Sequence, residues 1–198
     1  MNRGRLFSSW GMVSLLLALL AGTVAGEEPT VHYRYRLLAT SRTSTMANEL
    51  NAAAREGCRF EAFMGGGTLV PGNELVAIIR RLPADDAERY EYRLLATNRT
   101  STMEREMAQA GADGFLFRGQ TIYDSTFGGR EVVVVLERHA GAPPRRYQYR
   151  LLATNKTSTM ERELQAAARD GFIFLGETVA ETAFGGDEVV VILGRPGE

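Results

Sequence analysis

The sequence predicts an α+β fold of three tandem βαββ repeats, each a three-stranded sheet with one covering helix. Three observations predict it. The hexapeptide Tyr35-Arg36-Leu37-Leu38-Ala39-Thr40 recurs at Tyr92–Thr97 and Tyr149–Thr154, 57 residues apart each time (92 − 35 and 149 − 92), with no insertion between copies. Within each copy an aromatic-aliphatic run gives way to an apolar stripe of helical period, then to two more aliphatic runs divided by glycine. Of the 198 residues, 44% are hydrophobic and 24% charged, enough apolar residue for a core and too few unbroken runs for several membrane spans.

The repeats occupy 33–81, 90–138 and 147–195. Leu82-Pro83-Ala84-Asp85-Asp86 and Ala142-Pro143-Pro144-Arg145-Arg146 are the linkers, polar and proline-bearing. In the second copy, Tyr90–Thr97 begins in alternation and reads as a strand. Asn98-Arg99-Thr100 leads to Ser101, with Glu104 three residues on. That spacing reads as a capping box, repeated at Ser158 and Glu161. Met103, Met107, Ala110 and Gly111 make one helical stripe; Met46, Leu50, Ala53, Ala54 and Met160, Leu164, Ala167, Ala168 repeat it. Gly114 stands where a helix end wants positive φ. Phe115-Leu116-Phe117 opens a second strand, Phe127-Gly128-Gly129 turns the chain, and Val132–Leu136 is a third.

An unbroken Val-Val-Val-Val-Leu run belongs to a strand buried on both faces, hence a central one. The first two strands should then run parallel through a right-handed crossover, with the third between them as antiparallel partner. One helix covers one face of such a sheet. Leu95, Leu116, Val133 and Val135 are expected on the other, which the three units would bury by packing these second faces together, in pseudo-threefold fashion. A unit of this size is marginal alone.

Residues 1–26 carry Arg3 and Arg5, the apolar run Met12–Leu20, and small residues at Thr23 and Ala25. This is the layout of a signal peptide cleaved at Ala25 or Gly26, and its run is shorter than a bilayer span needs. Cleavage would take the net charge from −1 to −3. The expectation is an exported protein, periplasmic or secreted, with no stable membrane insertion.

Tyr-x-Tyr-Arg-Leu-Leu, a capped helix, Gly-Phe-x-Phe, a glycine turn and a Val-rich strand ending in Arg together resemble a family of small bacterial βαββ domains of unknown function. That family commonly has tryptophan after the helix-ending glycine; here Phe115 and Phe172 stand there, and Cys58 in the first copy. The resemblance implies the fold and no active site.

Candidate chemistry is sparse. A single cysteine excludes internal disulfides and thiol pairs, and two histidines disfavour a histidine metal site. Near-neutral charge without a Lys/Arg cluster argues against nucleic acid. The repeated Ser/Thr/cation loops at the helix starts are the candidate anion sites: Arg42, Thr43, Ser44 and Thr45, then Arg99 and Ser101, then Lys156 and Ser158. Plain helix capping explains the same residues. Arg36, Arg93 and Arg150, with Glu49, Glu106 and Glu163, are charged in every copy, and an ion pair from Glu106 to Arg93 or Arg138 is expected. Cys58 reads as core, His32 and His139 as solvated, and Gly65-Gly66-Gly67 as hairpin punctuation. No catalytic constellation or cofactor motif appears. The leading expectation is a non-enzymatic interaction or structural module whose partner is another protein or itself. The alternative is a binder of a small molecule or anion at the helix-start loops.

Overall fold

The protein is described here by a computed structural model. The described residues are 33–67, 73–81, 83, 89–125, 129–143, 145–181 and 187–197. The expected signal peptide, His32, most of the first linker and the turn at Phe127-Gly128 lie outside them.

The chain runs β1 (Arg34–Thr40), α1 (Thr43–Arg55), β2 (Cys58–Gly67), β3 (Asn73–Arg81), β4 (Arg89–Thr97), α2 (Thr100–Ala112), β5 (Leu116–Ser125) and β6 (Gly129–Ala140). It then continues through β7 (Tyr147–Thr154), α3 (Thr157–Arg169), β8 (Ile173–Glu181) and β9 (Asp187–Pro196). The three sheets have the orders β1-β3-β2, β4-β6-β5 and β7-β9-β8, and every pairing is antiparallel. The Val-rich strand is therefore central, as its hydrophobicity requires, and the strands joined by the helix flank it in parallel. Val133, Val134, Val135 and Leu136 are wholly buried.

Each helix closes as its glycine foretold. Gly57, Gly114 and Gly171 have φ of 82°, 87° and 82°. In the second copy Phe115 N–H reaches Ala110 C=O at 2.9 Å and Gly114 N–H reaches Gly111 C=O at 3.0 Å, a Schellman closure. The helix starts differ from expectation. The capping positions are Arg42, Arg99 and Lys156, none with a side-chain cap hydrogen bond, so Ser101 and Ser158 lie inside the first turn. What shapes the start is a threonine two residues earlier. Thr40, Thr97 and Thr154 Oγ1 accept from the N–H of Arg42, Arg99 and Lys156 at 3.1–3.3 Å.

The units stack head to tail. The helix-side face of the first sheet (Leu75, Ala77, Ile79) and the second face of the second sheet (Val133, Val135, Tyr92) share one core with Met46 and Leu50 of α1. α1 lies against β4, at one edge of the second sheet, and β2 lies against β5 at the other. The pattern repeats one unit on: Val134, Leu136, Met103 and Met107 share a core with Tyr149, Leu151, Val190 and Ile192 of the third unit. The second faces of the second and third units are thus packing surfaces, as expected, but each meets the preceding unit's helix side rather than another second face. This replaces the threefold arrangement with a linear one. Leu95 is also reassigned. It pairs with Val134 and joins the helix-side core, while Leu94, opposite Val135, lies on the second face.

Candidate interaction surface

The predicted anion residues do not converge. Arg42, Arg99 and Lys156 each sit at a separate helix start and are exposed, as are Ser44, Ser101 and Ser158, while Thr43 and Thr45 are half-buried. Beside Arg99 a cleft between α2 and the third sheet is walled by Met103, Val132, Leu151, Val190 and Ile192. Its enclosed volume is about 20 Å³, room for one water molecule. Glu104, expected at the helix start as a capping partner, instead accepts from Leu151 N–H of the next unit at 3.3 Å.

The repeated arginines take other partners than expected. Arg93 pairs with Asp113 at 2.9 Å, Arg150 with Asp170 at 2.9 Å and Arg36 with Glu56 at 3.2 Å, in each case the acid that caps the helix C-terminus. Arg93 and Arg138 lie 4.4 and 4.6 Å from the Phe115 ring centroid, and Arg150 and Arg195 lie 4.3 and 4.7 Å from that of Phe172. Two guanidiniums thus clasp each aromatic that follows the helix. Arg93 also holds the Asp113 carboxyl below the usual range, as a close cation does. The C-cap acid Asp113, rather than the expected Glu106, is the partner of Arg93.

Cys58 is buried in the first core, as expected. His139 is not in a solvated linker. It belongs to β6, is half-buried, and stands edge-on to Tyr90 with centroids 5.5 Å apart. Gly65-Gly66-Gly67 is not a turn but the end of β2. A Cβ on Gly65 would stand 2.2 Å from Ile122 O, so glycine there lets β5 approach.

The contacts between units carry the most specific chemistry. Tyr92, of the second unit, is 6% exposed and accepts a hydrogen bond from Phe60 N–H, of the first unit, at 2.9 Å. Phe60 sits at an irregularity in the β2–β3 register. Tyr149 repeats this one unit later, accepting from Phe117 N–H and donating to Phe115 O, both at 2.8 Å. Phe117 flanks the same register shift in β5. Burial drives the phenols of both tyrosines well above their ordinary pKa.

Tyr92 also donates to Glu137, a carboxylate only 4% exposed, at 2.9 Å. Arg59 of the first unit grips that carboxylate through two nitrogens, at 2.9 and 3.3 Å, and Arg118 lies 3.6 Å away. A buried carboxylate so held is a cross-link between units. Further hydrogen bonds join these units. Asn51 of α1 both donates to Tyr92 O and accepts from Tyr92 N–H at the edge of β4. Tyr123 O–H donates to Ser41 O at 2.6 Å.

The first unit presents the same sheet face with nothing described against it. Tyr35, the counterpart of Tyr92 and Tyr149, is 62% exposed, and Leu37, the counterpart of Leu94 and Leu151, is 64% exposed. Tyr33 and Met64 extend the patch, at 52% and 50%. Sequence reasoning placed these tyrosines in strands and missed their docking role. The available signal was parity: Tyr35 shares the alternation of Leu37, on the face away from the unit's own helix.

Among the described residues, no three His, Cys, Asp or Glu side chains gather as a metal site would need, and no helix is long and apolar enough to cross a membrane. Comparison with protein-family models, curated proteins and solved structures finds no match for this chain.

Proposed function

We propose that the protein is an exported, non-enzymatic interaction module, a stacked repeat array whose first sheet face takes a protein partner. One observation carries the reading. Tyr33, Tyr35 and Leu37 expose on that face the counterparts of tyrosines and leucines that the second and third units bury or half-bury on docking, and Met64 adds a further exposed apolar side chain. A cluster of exposed aromatics and aliphatics on one sheet face is what an interface offers before it is covered. Export rests on residues 1–26, whose charge, apolar run and small-residue ending suit a cleaved signal.

The test is a photo-crosslinking amino acid at position 35, in the full chain produced in an exporting bacterial cell. Covalent capture of another polypeptide supports the reading; a chain that captures none overturns it. The mass of the same recovered chain tests export, which fails if residues 1–26 are still attached.

A further inference from the structure

Resting on that reading, we infer that the partner of the exposed first sheet is the third unit of a second copy of this chain. The array would then continue from molecule to molecule by the contact it already makes twice within itself.

The two internal junctions supply the pattern that a further copy would continue. At both internal junctions a tyrosine from one unit's first strand takes the N–H of a phenylalanine in the preceding unit: Tyr92 with Phe60 at 2.9 Å, Tyr149 with Phe117 at 2.8 Å. The two halves left over are Tyr35 on the first unit and Phe174 on the third. Phe174 flanks the same register irregularity as its counterparts, here between β8 and β9. Phe174 is 56% exposed, where Phe60 is 1% exposed and Phe117 is half-buried.

The helices agree. Met103, Met107, Ala110 and Gly111 of α2 are all buried, as are Met46, Leu50, Ala53 and Ala54 of α1, each stripe covered by the following unit. On α3 only Met160 and Ala167 are buried; Leu164 is half-exposed and Ala168 exposed. Ala168 matches Ala54, which is 3% exposed against the second unit. Glu161 matches Glu104, the carboxylate that takes the outward N–H of Leu151, and in the second copy it would face the N–H of Leu37.

On the receiving side, Ala62 takes the place of Gly119, where an added Cβ would meet the Phe60 ring at an ordinary 3.6 Å. Such a contact joins unlike surfaces. It is therefore heterologous, and it propagates as a filament unless the rotation between copies closes a ring.

The test uses the full chain recovered from the exporting cell, followed by sedimentation velocity across a concentration series. The expected result is a ladder of dimer and higher species that grows with concentration. Leu37→Asp blocks one surface and Ala168→Glu the other. Both sites are exposed in the single chain, so dilute melting temperatures should match the parent and report intact folding. Each variant alone should associate about a hundredfold more weakly than the parent, because each buries a charge without a partner. Mixed together, they should form a dimer and nothing larger, since each retains the surface its partner needs.

A parent that stays monomeric overturns the inference. So does an Ala168→Glu chain that assembles as well as the parent, which would mean that first faces meet each other. The crosslinker at position 35 separates this failure from that of the module reading. An adduct to α3 or β8 of another copy supports both. An adduct to a different protein overturns self-docking alone, and one to residues 1–32 of the same chain overturns both.

Discussion

Replacing Tyr92 with phenylalanine removes one oxygen from the junction between the first two units. That oxygen accepts from Phe60 N–H and donates to Glu137, each at 2.9 Å, at a site 6% exposed. Its loss leaves a buried N–H without an acceptor and takes a donor from a carboxylate that keeps Arg59. An orphaned buried donor costs about 1–3 kcal/mol, while the added apolar character returns little. A destabilisation of about 2 kcal/mol is expected, which in a domain of this size lowers the melting temperature by about 4–8 °C. Tyr35→Phe is the internal control, the same substitution at the same repeat position in a residue 62% exposed. It should stay within about 0.5 kcal/mol of the parent. Both are read by urea denaturation and thermal melting at neutral pH in dilute solution. If the two variants lose the same stability, the junction hydrogen bonds do not hold the units together and the docking argument fails with them.

Three other outcomes follow from the same geometry. Leu50→Ala empties a site 1% exposed between two sheets and should cost about 2–5 kcal/mol by urea denaturation. Leu164→Ala, at the same repeat position on the half-uncovered α3, should cost clearly less. Gly65→Ala should destabilise by about 1–3 kcal/mol in the same assay, because the new methyl meets the backbone oxygen of Ile122. Alkaline titration should unfold the protein in a defined sense. Tyr92 and Tyr149 hold their protons in the fold above the ordinary phenol pKa, chiefly through burial. Their contribution is therefore complete below about pH 10, and is lost as pH rises toward the folded pKa. Stability should fall by about 1.4 kcal/mol per pH unit for each phenol, and Tyr92→Phe should remove one such share of the slope.

Much of this was legible in the chain because it is local or periodic. The 57-residue offset marks the units, the stripe through Met103 and Met107 marks the buried helix face, and Gly114 marks the helix end. The Val-rich run places the central strand without reference to any neighbour, because a strand hydrophobic on both sides has to be covered on both sides. The candidate surface was less legible. Ser101 with Glu104 has the spacing of a cap, yet Thr97 shapes the turn and Glu104 serves the next unit instead. No local pattern could reveal a carboxylate's partner 47 residues away.

What the sequence by itself determined is the repeating unit, its strand order and the fact that its second face needs cover. Each follows from period, from propensity and from the burial that apolar residues require. Which surface supplies that cover is a question of how whole units meet, and only the tertiary structure decided it. The answer lies in the close approach allowed by Gly65 and in the tyrosine hydroxyls that find Phe60 and Phe117. The same stacking leaves Tyr35 and Phe174 exposed on opposite ends of the array, because a linear stack, unlike a closed threefold one, always has two unmatched faces.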